Sequence, residues 1–236
     1  MTATMRQAPT ATRRVDRYDT ARYPFAEAVA ALLDVPDLAR LHETMPPGEG
    51  THGDQDTPAH RAFYAGFDAA VRPLYEEYLV REVLPLGGED LCVQAMPTFR
   101  VHYPGLTAVR EYHRDSDYFH QSGVLNYWVP LTRAAATSTV WLETAVGTAA
   151  YEPVDLEPGQ LLCFDAVALR HGNQPNVTGA TRVSFDFRVI PRRRYRPNGR
   201  RTVTNNTRLE LGAYFMLLAS DGSFDHRSAA DAGERS

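Results

Sequence analysis

At 236 residues, with a hydrophobic fraction of 43% and a net charge of −4, the chain can bury one substantial core and carries no global excess of positive charge for nucleic acid. No uninterrupted apolar run approaches the roughly 20 residues of a membrane span, and the first residues lack the apolar stretch of a secretory signal, so a cytoplasmic protein without a membrane partner is the default expectation. All 25 basic residues are arginine, which excludes a lysine Schiff base, a lysine general base and a phosphate-loop lysine.

Taken in chain order, residues 1–19 are rich in Thr, Ala and Arg without hydrophobic periodicity and are expected to form a flexible tail. A single domain is expected over 20–218, with a second polar tail at 219–236. From Tyr23 to Leu41, the apolar positions Phe25, Val29, Leu32 and Leu33 recur at helical spacing. Residues 45–57 hold Pro-Pro-Gly and Gly-Glu-Gly and predict an exposed loop, a candidate lid. A second helical region follows over 58–84, with Phe63, Phe67, Val71, Leu74, Tyr75 and Tyr78 on one stripe and Pro73 placed to kink or split it. After Gly87-Gly88 the pattern changes to short alternating runs. Strands are predicted over 96–103, 108–113, 123–131, 137–143, 160–164, 168–172 and 181–190, with 151–154 as an eighth. Eight short strands with glycine-containing turns suit a double-sheet jelly roll, so the expected class is mainly β with helical additions. Residues 212–218 are read as a closing helix. Cys92 and Cys163 are too few for a disulfide framework and are expected to be buried thiols.

The residues that carry chemistry lie within the strand-rich part. In His113-Arg-Asp115 the period of two would put both side chains on one face of a strand. A second histidine, His171, sits in Leu-Arg-His-Gly-Asn near the end of a late strand, and Arg182 and Ser184 open the next one. Two imidazoles and one carboxylate leave one face of a metal open, which suits a non-haem Fe(II) oxygenase that binds a cosubstrate and O2. An arginine beyond the triad would receive a carboxylate in bidentate fashion.

In order and spacing these residues resemble the Fe(II)/2-oxoglutarate-dependent oxygenase superfamily, whose motif is His-x-Asp/Glu, a distal His and an Arg about ten residues further, often Arg-x-Ser. The resemblance covers about 96–190 and implies a double-stranded β-helix (jelly-roll, cupin-like) core with the N-terminal helices packed on one sheet. It also implies Fe(II) on His113, Asp115 and His171, and 2-oxoglutarate anchored by Arg182 and Ser184. Gly159-Gln-Leu-Leu-Cys-Phe-Asp165, Leu169-Arg-His-Gly-Asn173 and Thr181-Arg-Val-Ser-Phe-Asp-Phe-Arg188 are similar to hydroxylases of streptomycin-type biosynthetic clusters, within the phytanoyl-CoA-dioxygenase-like group. That similarity implies a small polar bacterial metabolite as substrate. Related halogenases carry a small residue where Asp115 stands, so Asp115 favours hydroxylation or another oxidation. Asp117 is the competing carboxylate, and the motif spacing fits Asp115.

Further residues are expected around this centre. Tyr103, in Tyr-Pro-Gly, resembles the tyrosine that prolyl-hydroxylase-type members direct at the cosubstrate; packing at a strand end is the alternative. Asn126 interrupts an apolar strand and is a second candidate for the cosubstrate. Trp141 and Glu143 share a strand face and could hold a cationic or hydroxyl-rich substrate, or be a core tryptophan and a solvated glutamate. Arg100 is placed to read an anionic group, and Asp186 and Arg188 to sit on the pocket rim. The arginine-rich stretch at 192–201 is read as a solvated loop. The expected partner is a small-molecule substrate, with no nucleic acid, and the chain is expected to be a monomer or homodimer. Two other readings stay open: a cupin-like metal enzyme that does not use 2-oxoglutarate, and a non-catalytic jelly-roll binding protein.

Overall fold

The computed structural model describes residues 12–48, 56–108, 111–203 and 206–226. The chain opens with strand β1 (Arg13–Arg17), followed by helix α1 (Phe25–Leu33) and, after a short 3-10 turn, α2 (Leu41–Thr44). Helices α3 (Pro58–Ala70) and α4 (Arg72–Tyr78) follow, then a π-helical turn and α5 (Leu84–Gly87). Pro58 stands in the first turn of α3, where no amide hydrogen is needed, and Thr57 and His60 form a reciprocal cap before it. Pro73 splits the helical region as expected, by starting α4 rather than bending a continuous helix.

The strands are β2 (Leu91–Gln94), β3 (Thr98–His102), β4 (Leu125–Pro130), β5 (Trp141–Glu143), β6 (Tyr151–Pro153), β7 (Gln160–Phe164), β8 (His171–Gly172), β9 (Arg182–Pro191), β10 (Phe215–Leu218) and β11 (Phe224–Asp225). The larger sheet runs β1-β7-β4-β9-β2-β10-β11 with β3 also on β9, and the smaller runs β6-β5-β8. All of these pairings are antiparallel. This is the expected jelly roll with helical additions.

The 10-residue strand β9 is its spine: β4 pairs along one edge, while β3 and β2 share the other. Its alternation sorts two environments. Val183, Phe185, Phe187 and Val189 join the large core under the helices, where Phe25 meets Phe185 edge-on at 5.2 Å and Tyr75 meets Phe187 at 5.3 Å. The stripe read from α3 and α4 is the other half of that core, with Phe63 stacked on Phe99 of β3 at 4.2 Å. The opposite face of β9 carries Arg182, Ser184, Asp186 and Arg188, all buried. A smaller apolar cluster that includes Trp128, Leu142, Leu162 and Phe164 fills the jelly-roll interior.

Several expectations are corrected. Residues 13–17 are not tail but an edge strand on β7; residues 1–11 lie outside the described part, as do 49–55 of the expected lid and 227–236 of the second tail. The closing helix at 212–218 is instead strand β10, which pairs with β2, a strand absent from the sequence reading. No strand forms over the described part of 108–113; His113 makes only an isolated bridge. Both cysteines are buried, and burial pushes the thiols of Cys92 and Cys163 up to about 12 and about 11. No helix among the described residues is long and apolar enough to cross a membrane.

Candidate metal centre and cleft

The metal motif is assembled by backbone pairing between distant segments. His113 and His171 exchange two backbone hydrogen bonds, of 3.0 and 2.9 Å, which set the two imidazoles side by side with ring centroids 4.4 Å apart. The Asp115 amide then donates to the Ala166 carbonyl at 2.7 Å, and Asp115 begins a 3-10 helix, Asp115–Tyr118. The expected shared strand face is therefore replaced by a bridge followed by a helical turn. Even so, one donor atom from each of His113, Asp115 and His171 lies within 4.8 Å of the other two. Asp117 is engaged elsewhere, accepting the Arg114 amide at 2.9 Å.

The surroundings prepare all three side chains as ligands. Nδ1 of His113 faces the Glu111 carbonyl at 3.1 Å and Nδ1 of His171 faces the Leu169 carbonyl at 3.2 Å. A carbonyl only accepts, so each Nδ1 carries the hydrogen and each Nε2 keeps its lone pair for a metal. Burial pushes His171 down to about 4 and lowers His113 as well, so both rings are neutral at pH 7. Burial alone would raise the Asp115 carboxyl, but Arg188, followed by His171 and His120, outweighs it and holds the group well below the usual range. Two neutral imidazoles and an ionised carboxylate fit a ferrous ion.

A cleft opens beside the triad. His113, His171, Asn126, Arg182, Arg100 and Asp186 supply its polar wall, and Trp128, Val140 and Phe164 its apolar one. Arg182 is 1% exposed; its Nε donates to the Ser138 carbonyl at 3.1 Å and its Nη1 to Ser184 Oγ at 2.9 Å. Ser184 Oγ also accepts the Trp128 indole N–H at 3.1 Å, which leaves its own hydrogen to donate. Asn126 is 4% exposed and its Oδ1 has no partner. A buried amide left this way in a cleft wall is a place for a ligand donor.

Other assigned residues go elsewhere. The Tyr103 hydroxyl donates to the Met45 carbonyl at 2.9 Å, and the residue does not line the cleft; the packing alternative describes it. Trp141 donates its indole N–H to the Ala136 carbonyl at 3.1 Å on the smaller sheet, also off the cleft. Glu143 is 1% exposed and accepts the amides of Ala149 at 3.0 Å and Arg170 at 3.1 Å, so it is neither substrate wall nor solvated. Burial would raise its carboxyl, yet these amides hold it low. Glu143→Gln puts an NH2 against a donor and is expected to cost about 1–3 kcal/mol, a fall in Tm of roughly 2–4 °C per kcal/mol, with 2-oxoglutarate affinity unchanged. A weakened affinity with an unaltered Tm would return Glu143 to the site.

Arg188 is not on the cleft rim. It lies behind the wall, bound to Asp115 and Asp186. Asn173, whose Nδ2 donates to the Thr139 carbonyl at 3.0 Å, lines the cleft and was missed; its only signal was its place two residues after His171. The arginine-rich loop is largely tied to the protein surface. Arg193 pairs with Glu89, Arg196 donates to main-chain carbonyls, and Arg200 covers the Phe119 ring at 4.9 Å.

Compared with known proteins, the chain is 38% identical over 199 residues to the streptomycin biosynthesis protein StrG of Streptomyces griseus, an alignment spanning 84% of this chain and 95% of that one. The chain belongs to the StrG family. No protein-family model matches it. Among solved structures, the StrG-family fold is similar to the non-haem α-ketoglutarate-dependent epimerase SnoN from nogalamycin biosynthesis, at a TM-score of 0.52 and 16% identity, covering 77% of this chain and 78% of that one. It is likewise similar to EctD from S. alaskensis with bound Fe, at a TM-score of 0.51 and 16% identity, covering 77% and 73%. The architecture expected from the motif is thus the architecture that this StrG-family chain shares.

Proposed function

We propose that this StrG-family chain is an Fe(II)- and 2-oxoglutarate-dependent oxygenase that hydroxylates, or otherwise oxidises, a small polar metabolite of bacterial specialised metabolism. The observation that carries the proposal is the placement of Arg182 in the wall of the cleft that is also lined by His113 and His171, the two histidines of the triad. A metal enzyme without this cosubstrate would need the triad but not a buried arginine facing it. The StrG relative supports the biosynthetic setting.

His113, Asp115 and His171 would hold the ion. Bound together, Fe(II) and 2-oxoglutarate supply the reduction of O2 that drives substrate oxidation, with release of succinate and carbon dioxide. Arg182 would receive the far carboxylate of 2-oxoglutarate, joined by the unspent Ser184 hydroxyl hydrogen. Asn126 lines the same cleft from β4, where its unpartnered Oδ1 would accept a hydrogen from a donor group of the substrate. Trp128, Val140 and Phe164 keep water from the site and lower the local dielectric around these contacts.

Arg182→Ala is expected to raise the 2-oxoglutarate requirement about 10- to 100-fold, the loss of a charge-assisted pair. Arg182→Lys restores only part of it, because an ammonium cannot copy the planar fork. The check is titration of the weak visible band that forms when Fe(II) and 2-oxoglutarate are added without oxygen, alongside succinate release. An unchanged requirement in the alanine variant would remove Arg182 from this role, and a wild-type protein showing neither band nor succinate would overturn the proposed activity.

A further inference from the structure

Four side chains of alternating charge run from the metal motif into the cleft wall. Arg188 Nε donates to Asp115 Oδ2 at 3.1 Å, Arg188 Nη1 donates to Asp186 Oδ2, and Arg100 Nε donates to Asp186 Oδ1. Asp115, Arg188 and Asp186 are 2%, 6% and 1% exposed. Burying such a row is costly, and apolar residues of similar volume commonly match or exceed its stability, so stability alone gives little reason for it. The row does something more specific at its inner end. Asp115 Oδ1 lies 3.7 Å from His171 Nε2, on the ligand side, while Oδ2 is taken by the guanidinium. The guanidinium is itself fixed, because Nη1 donates to Asp186 Oδ2 and reaches Thr98 Oγ1 at 3.5 Å.

A carboxylate can give a cation one oxygen or two. We propose that Arg188 is a positioning residue which, by occupying Oδ2, confines Asp115 to one-oxygen contact with a divalent ion, with Asp186 and Arg100 fixing Arg188 in turn. This rests on the reading that the triad holds a metal. One-oxygen contact leaves the ion an additional position for cosubstrate and dioxygen. Arg188 therefore shapes the site without touching the reacting atoms.

The test uses the full-length protein and Co(II) alone, read by calorimetry and by its visible absorption. Arg188→Met keeps the side-chain length and removes the clamp. Co(II) affinity is expected to change by about 10-fold or more, as for other residues that orient a ligand. The visible band is expected to weaken as the freed carboxylate turns both oxygens to the ion and the coordination number rises. If Arg188→Met binds Co(II) with wild-type affinity and an unaltered band, the proposal is overturned, even if the variant melts at lower temperature. Should Arg188→Met not fold, Arg188→Lys carries the same readout, since an ammonium keeps the charge but lacks the fork that spans two carboxylates. Absence of Co(II) binding by the wild-type protein is a separate result, which sinks the triad reading itself.

Discussion

Asp115→Ala is expected to reduce metal content and 2-oxoglutarate-dependent succinate formation to background while leaving the protein folded. The variant keeps two neutral imidazoles held by the paired backbone of His113 and His171, but loses the only carboxylate within the cluster of three ligand atoms. Two nitrogen donors without an anionic third ligand do not complete the facial set that a ferrous site needs. Asp117 cannot substitute without giving up its hydrogen bond to the Arg114 amide. The fold is retained because Arg188 keeps its second carboxylate, Asp186, so the buried cation is not orphaned. The destabilisation should therefore fall short of the 3–5 kcal/mol typical of a fully broken buried pair. Metal analysis, succinate assay and thermal denaturation check the three parts. Iron retained at half the wild-type content or more would show that Asp115 is not a ligand.

Asp186→Asn acts in the opposite sense, on the fold before the chemistry. The amide preserves shape but places a neutral group between the guanidinium groups of Arg100 and Arg188, and about 3–5 kcal/mol of stability is expected to be lost at neutral pH. The pH dependence follows from the direction of the shift. Burial would raise the Asp186 carboxyl, but Arg100 and Arg188 outweigh it and lower its pKa when folded. A depressed folded pKa contributes stability that is fully present above the unfolded value of about 3.9 and is lost as pH falls through the folded value. The gap between wild type and Asp186→Asn should therefore hold from neutral pH down to about pH 4 and close in stronger acid. Urea denaturation across this range measures it, and a gap of less than about 1 kcal/mol at pH 7 would show that water already screens the row.

The parts of the fold that were legible are those in which side chains alternate with the backbone. Phe63, Phe67, Val71, Tyr75 and Tyr78 fall on a helical stripe because that face packs on the large sheet, and Arg182 to Arg188 alternate because β9 separates core from cleft. β1 was not legible. Its only apolar residue, Val15, is 47% exposed, and the strand is held by backbone pairing with β7, which leaves no period in the side chains. β10 was misread because Phe-Met-Leu-Leu is apolar throughout and fits a strand or a helix equally; pairing with β2 decides it. At the site, the motif singled out three residues that cluster but not how they meet, since the bridge between His113 and His171 is a long-range contact. Glu143 was read as wall or surface because nothing in a strand-end glutamate announces the turn amides it accepts.

The alternation of β9 also fixes what can change in this protein and what cannot. A single residue inserted ahead of Phe185 would exchange the two faces beyond that point, sending Asp186 and Arg188 toward the aromatic layer and Phe185 and Phe187 toward the His113–Asp115–His171 cluster. The polar side chains of that stretch would leave the cleft side in one event, along with the packing of the helices. The strand therefore behaves as a single heritable unit in which chemistry and folding cannot be traded separately. New substrates would have to be accommodated by the loops around the cleft, leaving this segment as it is.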